Sequence, residues 1–465
     1  MAIAPASKGL RYDRSLIEGP IAGAVWKLAW PTMLQNVIAG LQGIIDHVMV
    51  GQVVGFVGNA AIGVSWQILL VVIVFISSVF TGMAVLVARF AGAGDSHKVN
   101  RVVYQAFLTA AGSSIVLGII GYLASPWLLT LVNAAPEVRR EALPFLRTVF
   151  VGSIGMIMFF MLSGAFRAAG DPRTPLRLGL ALTVLTIALN VVLIRLYGTI
   201  GAAFGTVTSS TLVSAYGVWR LTRSDSVIQF DQEMERGPDW RIIRSLFKFG
   251  LPTGVQGIAM NVGGVFLLRF IGSLEHSAAA QAAFAVGYTE LFSLITWTST
   301  GLLGAAATIA GQNLGARNPD RAAEGVRVAS QIGLAAAAIV GAAFLLAPRY
   351  LLAAFGMTEP LVLSIGEQLL GYLSISGLFI TVALSYTGGL QGTGDTRSPL
   401  YISVISQIAV PLGLCTIIEA TRMLTPADIW TAIVLGHFTR CVLSVARFRQ
   451  QKWRTIAVDI EPVRP

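Results

Sequence analysis

One carboxylate stands inside the first long apolar run of this sequence. The stretch from Pro31 to Gly51, PTMLQNVIAGLQGIIDHVMVG, contains Asp46 as its only acid and has no fixed cation beside it. About 20 apolar residues suffice to cross a bilayer, and a charge at that depth costs roughly 2.5–3.5 kcal/mol on insertion scales. Such a group is kept where it faces a cavity and does work. Helical positions i, i+7 and i+11 fall close to one face, so Gln35, Gln42 and Asp46 form a polar stripe along an otherwise apolar helix. The stripe is expected to face a substrate cavity; the alternative is that the two glutamines only hydrogen-bond neighbouring helices. Asp46 is suited to carry a proton from one side of a membrane to the other. Loss of its charge would let the helix repack or bend at Pro31, where a helical hydrogen bond is missing. His47 is turned about 100° away from Asp46 and is expected to pack between helices.

Further oxygen-bearing residues recur later in the chain. In LTVLTIALNVVLI, Thr186 and Asn190 are four residues apart and share a helical face, and Thr206 lies in GAAFGTVTSS, early in the following run. Their oxygens either coordinate a cation or bond neighbouring helices. Glu290, in AVGYTELFSL, is the other carboxylate deep in an apolar run; it either binds a cationic substrate or pairs with Arg269. Met260 and Tyr288 belong to a group of methionines and aromatic residues that, taken together, offer a deformable wall for lipophilic cations.

The elements that must hold these residues are membrane spans. Of 465 residues 55% are hydrophobic and 12% charged, with a mean hydropathy of +0.72. A soluble domain carries about 25% charged residues. Twelve apolar segments can be drawn, near 25–50, 59–86, 102–125, 143–165, 178–197, 199–219, 247–273, 279–310, 326–347, 362–390, 399–421 and 427–446. The expected organisation is an N-terminal tail over 1–24, a first lobe over 25–222, a polar linker over 223–245, a second lobe over 246–448 and a tail over 449–465. With both tails placed in the cytoplasm, roughly 26 of the 33 Lys and Arg fall on the cytoplasmic side, which accounts for the net charge of +10 without nucleic acid. Cys415 and Cys441 make neither a disulfide framework nor a metal cluster. The four histidines show no H-E-x-x-H spacing and no phosphate-binding glycine loop is present, so neither catalysis nor ATP use is expected.

The strongest pattern is a duplication. GAFRAAGDPRTPL begins at Gly164 and GGLQGTGDTRSPL at Gly388, and Pro31-Thr32 is matched by Pro252-Thr253. Each copy reads as a tight cytoplasmic turn: Gly170-Asp171 and Gly394-Asp395 make the turn, Arg173 and Arg397 anchor at the membrane surface, and Pro175 and Pro399 enter the next helix. Parallel repeats of this kind commonly place substrate between two halves. This doubled turn, the opening proline helix and the segments VARFAGAG and AGQNLGAR resemble the multidrug and toxic compound extrusion family over nearly the whole chain. The resemblance implies an all-α integral membrane protein of twelve transmembrane helices in two pseudo-symmetric six-helix bundles forming a V. It implies export of amphipathic organic cations, in exchange for protons or sodium, from the bacterial cytoplasmic membrane. Asp46 matches the family's cation-coupling acid, and Thr186, Asn190 and Thr206 resemble the rest of its N-terminal cation site. An acid is often found in the family where this chain has Asn190, and the loss of that charge favours protons over sodium as coupling ion. No cofactor is expected, the partners are small organic cations and the bilayer, and the chain is expected to act as a monomer. A flippase for lipid-linked precursors is the alternative transporter; a purely structural or receptor role would leave the buried acid and the repeat without a use.

Overall fold

The computed structural model describes residues 12–223, 226–230, 237–458 and 460. Most of the N-terminal tail, part of the linker (224–225 and 231–236) and the end of the C-terminal tail lie outside the described residues. Among the described residues all regular structure is helical. In hydrocarbon every backbone N–H and C=O must be satisfied within the segment, which long apolar runs achieve as helices. In chain order these are α1 (Ile21–Val53), α2 (Phe56–Gly92), α3 (Ser96–Leu131), α4 (Pro136–Val151), α5 (Ser153–Ala168), α6 (Arg173–Tyr197) and α7 (Thr199–Leu221). They continue with α8 (Trp240–Gly272), α9 (Ser277–Gly315), α10 (Pro319–Leu346), α11 (Pro360–Thr393), α12 (Arg397–Thr421) and α13 (Pro426–Arg449).

Nine of these helices are long and apolar enough to cross a membrane, and the pair α4 and α5, bent by 53° at Gly152, makes a tenth. The two remaining long helices, α1 and α7, complete the twelve segments. Their apolar character is diluted by Gln35, Gln42 and Asp46 in one and by a run of threonines and serines in the other. Large side chains such as Ile119, Ile339 and Leu346 stand 59, 73 and 85% exposed, a surface that requires lipid as its solvent. The protein is a multi-pass membrane protein.

Two compact units are present: the first holds residues 34–254 with short pieces from both chain ends, the second residues 19–33 and 255–457. The proline helices α1 and α8 therefore each contribute to both, and Pro31 and Pro252 lie two residues before the division. In the first unit, Ile242, Leu246 and Phe249 of α8 are buried with Val79, Phe80 and Met83 of α2. A Cβ at Gly82 would strike the carbonyl of Leu246, so the two helices touch backbone to backbone there. In the second unit, Met33 of α1 packs on Gly301 of α9, while the Arg321 guanidinium donates to the Gly19 carbonyl at 2.5 Å. Small residues matter here because close packing, more than water exclusion, holds helices together in lipid. The duplication is visible in the packing: Gly164 seats beside the Phe80 carbonyl and Gly388 beside the Leu303 carbonyl, matching offsets within each unit.

Candidate cation-coupling site

Asp46 meets α6 inside the first unit. Asn190 Nδ2 donates to Asp46 Oδ1 at 2.9 Å, and the Gln42 side chain, one turn back on α1, interacts with the same carboxylate. Gln42 Oε1 in turn accepts from Thr183 Oγ1 at 2.7 Å. Further along, Gln35 lies against Gly179 of α6. The stripe of Gln35, Gln42 and Asp46 is thus laid along one face of α6, at positions 179, 183 and 190. No Lys or Arg lies in ion-pair range of Asp46 among the described residues. His47 turns the other way and shares a 2.8 Å hydrogen bond with Asn59.

Asn190 is 1% exposed, and its Oδ1 has no hydrogen-bond partner. It is held there by α7, which passes so close that a Cβ at Gly205 would overlap that oxygen. An unpartnered buried amide oxygen beside a carboxylate is an acceptor waiting for a donor or a cation. Thr186 is fully buried and bonded to Ser209 Oγ of α7 at 2.6 Å, and Thr206 Oγ1 donates back to the Ala202 carbonyl at 3.0 Å. No hydrogen bond joins Thr186 or Thr206 to Asp46. They frame the α6–α7 contact behind Asn190. Thr183 and Ser209 were missed in the sequence, although Thr183, Thr186 and Asn190 fall at i, i+3 and i+7, the spacing of one helical face.

In the second unit, Met260, Tyr288 and Glu290 are all half-buried. Tyr288 and Glu290 lie on a π-helical turn, Ala285–Leu291, within α9. Arg269 is exposed and out of ion-pair range of Glu290, so the two do not pair. The doubled motif forms two helix-capping turns. Gly170 and Gly394 adopt φ of 94° and 98°, the left-handed region that glycine enters without steric cost. Asp171 accepts from the N–H groups of Arg173 and Thr174, both at 3.1 Å, and from the Thr174 hydroxyl. Asp395 accepts from Ser398 in the same way and also takes Arg447 of α13, whose Nε donates at 2.9 Å. Pro175 and Pro399 are buried in the first turns that follow, whereas Arg173 and Arg397 are exposed.

A helical, multi-pass protein with a half-buried acid hydrogen-bonded between two of its helices has the form of a membrane transporter. The MatE family model matches residues 31–192 and 252–416, one match in each half of the chain, and the chain belongs to that family. It is 24% identical over 444 residues to "Probable multidrug resistance protein NorM" of Thermotoga maritima, covering 93% of each chain. It is 25% identical over 472 residues to "Multidrug resistance protein PmpM" of Pseudomonas aeruginosa, covering 97% of this chain and 95% of that one. Its fold matches a solved structure described as an outward-facing multidrug resistance MATE family transporter, with a TM-score of 0.88 at 19% identity over 96% of this chain and 98% of the other.

Proposed function

We propose that the protein is a secondary antiporter that exports amphipathic organic cations across a bacterial cytoplasmic membrane in exchange for protons, working as a monomer with both termini in the cytoplasm. The relatives it resembles are named as multidrug resistance proteins, which supports drug export. The observation that carries the coupling role is the contact of Asp46 with Asn190, whose second polar atom is buried without a partner. As a carboxylate, Asp46 only accepts hydrogen bonds; once protonated it also donates one. A modest reorientation of the Asn190 amide then gives its orphan oxygen a donor, so proton uptake rewrites the bonding between α1 and α6. A sodium ion would find the same oxygens but a single negative charge, which disfavours it against a proton.

The test uses proteoliposomes containing the full chain, with ethidium as substrate and either a pH gradient or a sodium gradient imposed alone. Transport should follow the pH gradient, and Asp46→Asn should reduce it at least about tenfold, the rate equivalent of losing one charge-assisted hydrogen bond. Full pH-driven transport by that variant would remove Asp46 from the coupling step, and transport driven by sodium alone would reassign the ion.

A further inference from the structure

The core of the second unit holds a cation with nothing to balance it. Arg440, on α13, is 3% exposed, and its Nε has no hydrogen-bond partner. Among the described residues no carboxylate lies in ion-pair range of Arg440 and no aromatic ring takes it in a cation–π contact. The neighbours that interact with it electrostatically are Tyr288 of α9 and His437, one turn back on α13. His437 is itself engaged, through Nδ1, with the hydroxyl of Ser376 on α11 and by stacking on Phe292. One turn beyond Arg440, Ser444 is fully buried and its hydroxyl is also unpartnered. His437, Arg440 and Ser444 stand at i, i+3 and i+7 and share one face of the helix. Two features show that this region is built and not merely filled. Tyr288 lies on the π-helical turn of α9, and a second π-helical turn, Ile405–Ala409 of α12, presses its Ser406 carbonyl against Gly436 of α13. Turns of this kind concentrate at functional sites.

A buried charge in a membrane span needs a counter-charge, and the unpartnered groups on this face of α13 are a guanidinium and a hydroxyl, both able to donate. We infer that Arg440 and Ser444 form a binding site in the second unit for a small monovalent anion, a halide or the carboxylate of a small organic acid. Arginine recognises such groups through a fork of N–H donors. This site is separate from the Asp46 network and does not rest on the proposed antiport.

The full chain, purified in detergent into a sulfate medium, is titrated with sodium chloride or sodium acetate at constant ionic strength while its unfolding temperature is recorded. At least one of the two anions should raise the unfolding temperature saturably, and the chloride and acetate arms tell halide from carboxylate. Arg440→Gln should weaken the apparent affinity roughly 10- to 100-fold, the range of a charge-assisted hydrogen bond, and Ser444→Ala should weaken it less. Absence of a saturable effect in the unaltered protein overturns the proposal, as does an undiminished effect in Arg440→Gln. Should that variant not fold, Arg440→Lys, which keeps the charge and loses the fork, decides: weakened acetate stabilisation supports the site, and a response identical to the parent's for both anions overturns it.

Discussion

Gly205 sets where Asn190 can stand, because any side chain there would occupy the space of the Asn190 amide oxygen. Gly205→Ala is therefore expected to cost about 1–3 kcal/mol through overpacking and to displace Asn190 from Asp46. Its transport rate should fall toward that of Asp46→Asn, while the unfolding temperature falls only by several degrees; normal transport with the same instability would show that Asn190 positions nothing. Asn190→Asp makes the opposite kind of change. It puts a second carboxylate beside Asp46, a donor set of hard oxygens that suits sodium better, so sodium-gradient-driven ethidium transport in proteoliposomes should appear or increase. At this scale the sequence was partly readable. Asp46 stood out because one acid in an apolar run has few structural uses, and Asn190 followed from its spacing to Thr186. What spacing does not tell is which helix a face meets. The bond from Thr183 to Gln42 spans 141 residues of chain and the bond from Asn190 to Asp46 spans 144. Arg440 was hidden for another reason: near the end of the last apolar run it reads as one more topology-setting base, and only burial reveals it.

The two Gly-Asp turns look interchangeable in sequence, yet they differ as elements. Each aspartate caps the helix that follows it, a role asparagine can also fill at a cost of a few tenths of a kcal/mol. Asp395 additionally holds Arg447, with the carboxylate side chain 7% exposed and the guanidinium 27%. That tie joins the turn to α13; Asp171 makes no ion pair among the described residues. Asp171→Asn should leave the unfolding temperature nearly unchanged, whereas Asp395→Asn should cost about 1–2 kcal/mol, the value of a charged hydrogen bond discounted for the exposure of Arg447. Equal shifts in the two variants would mean that the Arg447 contact contributes nothing. Helix existence was legible from hydropathy alone, since runs of some 20 apolar residues have no other stable form in lipid. The bend at Gly152 and the π-helical turns in α9 and α12 were not, because each is a local adjustment to packing partners distant in sequence.

At the scale of the whole molecule, the repeat suggests two halves that could fold alone, and the packing argues against it. Residues 19–33, encoded at the start of the chain, belong to the second unit, and the stretch from Trp240 to Gly254, encoded at the end of the linker and just beyond it, belongs to the first. Each is well buried where it sits: Val25 and Ala29 are fully buried in one case, and Ile242 and Leu246 in the other. Apolar pattern divided the chain at the polar linker because hydropathy registers where the chain leaves the membrane. It carries no information on which unit a helical turn packs against. Cutting the chain near residue 230 should accordingly leave two fragments that each lack an inner piece of their own unit. Either fragment expressed alone is expected to be degraded or to aggregate on size-exclusion chromatography. Co-expression should restore a co-purifying pair, since the missing pieces return in trans. If instead the cut is moved to residue 255, the first fragment keeps the whole of 34–254 and gains stability on its own, while the second still lacks 19–33 and does not. Two cuts only some 25 residues apart, giving opposite behaviour in the first fragment, would locate the exchange at the proline helices; a first fragment equally stable from either cut would show that the α8 segment adds nothing to the unit in which it is buried.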